Sequence, residues 1–297
     1  MKKIKISFIG CVNFSAQMLN EIIINGYKPT LVITKKASNF NSDFFDLAPI
    51  CVENNIKYVY TNDVNSNEIL NEVREHKPDV VFCFGWSSLI KKDFLEIPTL
   101  GVLGFHPALI PENKGRHPII WALALGLKQT GSTFFFMDEG ADTGDIISQV
   151  KLNVDIKDNA SILYDKIIAT SKTQIHDILI GLENDSYSRQ KQNLNKGNSW
   201  RKRTKKDGEI DFRMSSMSIY NLVRSLDKPY PGSHFILNNE EIKVWKVKIG
   251  NETSNNIEPG KVLEIKKDKI QIKTGDGTIW LLNHELLNLP TINTYIK

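Results

Sequence analysis

Apolar and polar positions alternate along the chain in blocks whose period switches. Residues 4–10, IKISFIG, are a β-branched run closed by a glycine, and FSAQMLNEIIINGY after it keeps helical spacing up to Gly26. The block recurs. TLVIT (30–34) predicts a strand, DFFDLAPICVENN (43–55) a helix, YVY (58–60) a short strand, residues 65–76 a polar helix, and DVVFCFGW (79–86) another strand. TLGVLGFH (99–106), a helix at PIIWALALG (118–126), strand-like runs at GSTFFFM (131–137) and DIISQVKLNV (145–154), and a helix over 160–182 complete this half. Strands separated by helix-length segments predict an α/β fold with a mostly parallel sheet, and runs such as VVFCF suit strands covered on both faces.

From 183 to 208 the composition turns polar and charged, which reads as a linker or surface crossing. It divides the chain into an N-terminal domain, 1–200, and a C-terminal domain, 201–297. The second domain opens with a helix over 216–225 and a Pro-Tyr-Pro-Gly turn at 229–232. The runs HFILN, EIKVWKVKI, GKVLEIKKDKIQIKT and GTIWLLN follow, the pattern of a small β-barrel or sandwich.

Composition narrows the class. A chain of 297 residues, 41% hydrophobic and 24% charged, is globular and long enough for two domains. Its 38 basic and 34 acidic residues leave +4, too slight a bias for a dedicated nucleic-acid binder. Cys11, Cys51 and Cys83 are far apart in apolar surroundings, so neither a disulfide framework nor a CxxC metal site is expected, and a reducing cytoplasm fits. The apolar run after Met1-Lys2-Lys3 stops at Ile9, and no stretch nears the roughly 18 apolar residues of a spanning helix, so no membrane partner is expected.

The first glycine turn, Gly10-Cys11-Val12-Asn13-Phe14-Ser15, has one glycine where GxGxxG has three, and no P-loop occurs, so no dinucleotide or P-loop site is expected. Asn13 and Ser15 read as helix caps or as ligand contacts. More chemistry sits further on, in GFHPALIPENKGRHP (104–118) and MDEGADTGD (137–145). His106 ends a strand at the carboxyl edge, where open α/β sheets place ligand crevices, and Pro107 and Pro111 stiffen its exit loop. The second segment gathers Asp138, Glu139, Asp142 and Asp145 around Gly140 and Gly144. It reads equally as a turn with capping carboxylates. The EF-hand order is absent and no metal is expected. A histidine and a carboxylate on neighbouring strand ends form an acid/base pair, in which the carboxylate orients the ring and favours its protonated form.

FHPALIP, the glycine with basic neighbours in NKGRHP, the Trp121 helix, TGST and MDEGADTGDI occur in this order within residues 101–149. They resemble the core signature of the 10-formyl-tetrahydrofolate-dependent formyltransferases, which act on methionyl-tRNA, on glycinamide ribonucleotide or on amino sugars. The resemblance runs on through RKRTKKDGEIDF (201–212) and LVRSLDKPYPG (222–232). It implies a Rossmann-like first domain, an OB-like second domain, and 10-formyl-tetrahydrofolate as cosubstrate. His106 and Asp142 match two members of that family's catalytic set. The third, an asparagine two residues before the histidine, falls on Gly104, which has no side chain; Asn13, Ser87 and backbone amides are the candidate replacement donors. In the implied reaction His106 donates to the developing oxyanion while Asp142 orients it and accepts the amine proton. The pterin slot is implied at Phe82–Ser88, with Phe84, Gly85, Trp86 and Ser87, and at the backbone of Gly140 and Ala141. Some of Phe82, Phe84 and Trp86 are expected to be core, because a strand points alternate side chains to opposite faces. Lys114 matches a basic position that meets substrate phosphate or solvent.

The acceptor stays open among three readings. DGEIDF, KPYPG and the low net charge lean toward a nucleotide-linked amino sugar. GFHPALIP and KKASNFNSDFFDL (35–47) resemble formyltransferases of pseudaminic-acid-type pathways, which implies a UDP-4-amino-4,6-dideoxy hexose carrying an N-acetyl group, for surface glycan biosynthesis. WRKRTKKDG (200–208), whose cations could hold phosphates, keeps methionyl-tRNA as the alternative, and nucleic acid is a partner only under that reading. Gly104 keeps a folate- or nucleotide-sugar-binding module without strong catalysis as the third. Oligomeric state is unassigned, a homodimer included.

Overall fold

The computed structural model describes residues 3–38 and 42–296. In chain order the first elements are β1 (Ile6–Ile9), α1 (Asn13–Ile24), β2 (Leu31–Thr34), α2 (Ala48–Glu53), β3 (Tyr58–Tyr60), α3 (Asn67–His76), β4 (Val80–Cys83) and α4 (Lys92–Leu95). There follow β5 (Gly101–His106), β6 (Lys114–Gly115), α5 (Pro118–Ala124), β7 (Gln129–Phe136), β8 (Ile146–Asn153), α6 (Ala160–Glu183) and β9 (Ser199–Trp200). The last are α7 (Ser216–Ser225), β10 (Ser233–Leu237), β11 (Glu240–Ile249), β12 (Val262–Lys266), β13 (Lys269–Lys273) and β14 (Thr278–His284). The chain divides into two compact units, one running to Pro118 and including Thr130–Leu152 and Asp165–Trp200, the other made of Ile119–Gln129, Asn153–Tyr164 and Arg201–Lys297.

In the first unit the sheet order is β3-β2-β1-β4-β5-β7-β8. β1 to β5 pair in parallel, and every residue of β1, β2 and β4 is buried, as strands covered on both faces require. Strand order reverses at β1, so the carboxyl ends of β1 and β4 form a topological switch point, where open α/β sheets bind ligands. β7 departs from the parallel pattern. It pairs with β5 antiparallel, with Gly104 opposite Phe135 and His106 opposite Thr133. The helix expected over 43–55 is confined to α2, because Phe44 bridges Val12 antiparallel just before α1: Asn13 donates to Asp43 O at 2.9 Å and Phe45 to Cys11 O at 3.0 Å. Within the 35–47 stretch, residues 39–41 lie outside the described residues.

In the second unit β10-β11-β14-β13-β12 form an antiparallel sheet. GKVLEIKKDKIQIKT is a hairpin that turns at Lys267, whose φ is +57°. Apolar residues of this sheet, among them Val244, Ile270, Ile272 and Leu281, bury a core with Ile219 and Val223 of α7. Among the described residues no helix is long and apolar enough to cross a membrane.

Candidate active site

The candidate site begins where β1 and β4 end. Ser15, in the first turn of α1, accepts from the Val12 amide at 3.2 Å and donates to Phe84 O at 2.5 Å, tying the helix start to the β4 exit. Gly85 completes this joint. Its φ is +71°, and a Cβ there would stand 2.2 Å from Val12 Cγ2, so close packing on α1 already demands glycine at that position. Phe82 and Phe84 are fully buried. Phe84 meets Phe8, Phe14, Phe82 and Phe134 edge-on or stacked, so its ring belongs to the core and only its main chain faces the exit loop. Trp86 and Ser87 are half-buried; Trp86 carries Lys35 over its ring at 4.5 Å, and its Nε1 is buried with no hydrogen-bond partner. Asn13, the first residue of α1, is half-buried. The Cys83 thiol next to this joint is pushed up to about 12 by burial, which makes it an inert apolar filler.

His106 closes β5 at 5% exposure. Its Nε2 lies 2.8 Å from Asn113 O, and since a carbonyl only accepts, Nε2 carries a proton. Nδ1 faces Asp142 Oδ2 at 3.5 Å. The same Oδ2 accepts from the Gly115 amide at 3.1 Å, and Asp142 holds this place with φ +58°. Because β7 is antiparallel to β5, the loop after it leaves near the start of β5 and must fold back over the sheet to bring Asp142 to His106. Gly104 makes room for that crossing. It shares a sheet face with His106, and a Cβ on it would stand 2.9 Å from both Met137 Cγ and Phe135 Cζ. The space next to residue 104 is therefore filled by Met137 and Phe135.

The carboxylates of the loop divide their work. Asp138 Oδ1 accepts from the Gly140 amide at 3.0 Å and from Thr143 Oγ1 at 2.6 Å, so Asp138 builds the turn and Asp142 faces the histidine. Gly140 and Ala141 are exposed at its tip. Lys114 is half-buried on β6. Sequence reasoning missed Asn113 and Arg116. Asn113 supplies the carbonyl for His106, and Arg116 Nη1 donates to Ser87 O at 3.1 Å, joining the loop around β6 to the β4 exit. Their one signal in the sequence is the segment NKGRHP itself, which carries both residues.

In the second unit the cations after Trp200 have partners of their own. Arg201 grips Asp207 and holds that carboxyl well below its ordinary range; Lys205 pairs with Glu241, and Lys206 with Glu209 at 2.7 Å. Arg203 is buried over the Trp121 ring at 4.5 Å. Among the described residues no group of three or more His, Cys, Asp or Glu is placed to hold a metal ion.

Two family models match the chain: formyl transferase over residues 3–179 and formyl transferase, C-terminal domain, over residues 202–293. A methionyl-tRNA formyltransferase of Clostridioides difficile (strain 630) is 29% identical over 299 aligned residues, covering 99% of this chain and 96% of its own. One from Ruminiclostridium cellulolyticum is 30% identical, covering 93% and 90%. Among solved structures, WlaRD, a sugar 3N-formyl transferase crystallised with dTDP and 5-N-formyl-THF, superposes with a TM-score of 0.70 at 23% identity, over 97% of this chain and 100% of that one. An N-formyltransferase of Helicobacter canadensis in complex with folinic acid and dTDP-3-aminofucose gives 0.71 at 23%, over 94% and 98%.

Proposed function

The chain belongs to the formyl transferase family, and from that premise we propose that it moves the formyl group of 10-formyl-tetrahydrofolate onto the primary amine of a nucleotide-linked amino sugar. The observation that carries the chemistry is the pairing of His106 with Asp142, histidine buried and aspartate partly open, at 6% and 21% side-chain exposure. Residues of the two loops fit a flat donor. Gly140 and Ala141 offer exposed main chain, and the buried, unpartnered Trp86 Nε1 offers a donor. The folate supplies an activated formyl group. As the amine nitrogen bonds to the formyl carbon, the bond from that carbon to the folate nitrogen breaks, and the proton lost by the amine ends on the folate nitrogen. Asp142 accepts that proton and passes it, directly or through water, to the departing folate nitrogen, while His106 Nδ1 faces the carboxylate and orients it. A further bond from His106 to the formyl oxygen requires its Nε2–H to be shared with Asn113 O.

Three observations support a sugar acceptor. Sugar N-formyltransferases share the fold over almost the whole chain, net charge is only +4, and cations of the 200–208 run are matched by acids. Within that class the reading is a UDP-linked 4-amino-4,6-dideoxy hexose bearing an N-acetyl group. The second reading, methionyl-tRNA, draws on the curated relatives. The test is formyl transfer by the purified protein from 10-formyl-tetrahydrofolate to a panel of UDP- and dTDP-linked amino sugars and to charged initiator tRNA, followed by product mass. One formyl group gained by a sugar is the expected result. Transfer to methionyl-tRNA alone replaces the acceptor, and no transfer to anything overturns the reading.

A further inference from the structure

The polar segment after α6 is more than a connection. Gln190 exchanges both main-chain hydrogen bonds with Ile146, at 2.8 and 2.9 Å. Two residues on, Gln192 Nε2 donates to Asp142 O at 3.0 Å and to Gly144 O at 2.6 Å. Further along, Asn198 Oδ1 accepts from the Asn113 amide at 2.7 Å, Asn198 O accepts from Lys114 at 3.1 Å, and Trp200 O accepts from Arg116 at 3.0 Å. One strap, residues 190–200, thus touches both arms of the pair. Gln192 holds the main chain of Asp142, and Asn198 holds the main chain of Asn113, whose carbonyl takes His106 Nε2.

Asp142 and Asn113 share a backbone conformation. Their φ values are +58° and +63°, in the left-handed region that Asp and Asn enter more readily than other side-chain-bearing residues. The contact they set up, Nδ1 to Oδ2 at 3.5 Å, is at the outer limit of hydrogen bonding, so a shift of either arm would make or break it. We infer that Gln192 and Asn198 are positioning residues for the reaction, setting the distance and ring orientation of the His106–Asp142 pair from a segment outside both loops. This rests on the reading of that pair as catalytic.

The test compares Gln192→Met, which keeps length and loses the donor, Asn198→Ala, and Asn198→Asp, which keeps an acceptor oxygen. His106→Asn and Asp142→Asn run in parallel with 10-formyl-tetrahydrofolate and the acceptor formylated in the panel. A displacement on the order of 1 Å is worth about 100-fold, so Gln192→Met and Asn198→Ala are expected to lower kcat by about 10- to 100-fold with KM unchanged. Asn198→Asp restores most of the loss, and Gln192→Met adds nothing on the Asp142→Asn background. A readout without acceptor is the nitrogen NMR spectrum of labelled histidine. His106, assigned by its loss in His106→Asn, is expected in the Nε2-protonated form in the wild type and to lose that preference in Asn198→Ala. Full turnover in His106→Asn or Asp142→Asn overturns the reading of the pair. Loss in those two, with wild-type kcat per folded molecule and an unchanged His106 spectrum in the strap variants, overturns the positioning role alone, including where melting temperature falls.

Discussion

The smallest scale is a pair of side chains and the glycine two residues before one of them. His106 donates to a main-chain carbonyl and meets Asp142 at 3.5 Å. Asparagine is polar like histidine and near-isosteric with aspartate, so both substitutions keep a hydrogen-bonding side chain in place. His106→Asn and Asp142→Asn should each lower kcat by about 100- to 10,000-fold, the usual worth of a positioned proton transfer, while thermal melts stay close to wild type. Steady-state kinetics beside calorimetry checks both halves of this statement. Gly104 behaves differently. An asparagine at 104 would push into Met137 and Phe135, which stand 2.9 Å from where its Cβ must go. Gly104→Asn is therefore expected to destabilise by about 1 to 3 kcal/mol without raising turnover. An active, equally stable Gly104→Asn protein would show that the family asparagine has an open place here.

Among the elements, the joint between α1 and the β4 exit is tightly packed. Gly85→Ala adds a methyl 2.2 Å from Val12 Cγ2 at a φ of +71°, and should cost about 1 to 3 kcal/mol in a denaturant titration while lowering affinity for the folate. The sequence carried this element up to a point. Buried runs such as VVFC and LVIT announced parallel strands, and FHPALIP with MDEGADTGD announced the residues that meet. The direction of β7 was not legible, because TFFF is equally apolar whichever way it runs; the reversal emerges only from its pairing with β5. Nor was the strap, since Gln192 and Asn198 act on main-chain atoms of residues 48 to 85 positions away, and a polar stretch looks the same bound or free. Which carboxylate of the acidic loop would face the histidine was legible only through resemblance. Asp138, by contrast, forms the local turn its spacing to Gly140 allows.

At the scale of the whole molecule, a pH response is written into the second unit. His234 on β10 is 3% exposed, and burial lowers its pKa below the ordinary value despite Glu241 4.0 Å away. Its other charged neighbours are Lys243, Glu209 and Lys205. Glu241 is itself pulled down to about 2 by hydrogen bonds from Lys205 and then Lys243. An unfolded chain binds a proton at His234 near pH 6.5 that the folded chain refuses, so stability is complete above that pH and falls as pH drops toward the folded value. Glu241 adds a second loss, beginning near its ordinary value of 4.5 and continuing toward about 2, discounted because the pair lies partly in solvent. Melting temperature is accordingly expected to be flat from pH 8 to about 7, to begin declining as pH falls below about 6.5, and to decline again below about 4.5. His234→Gln should remove the first step and leave the second. A first step of unchanged size in that variant would assign it to another group in the chain. If the step vanishes while formyl transfer at neutral pH is preserved, acid lability and catalysis reside in separate units.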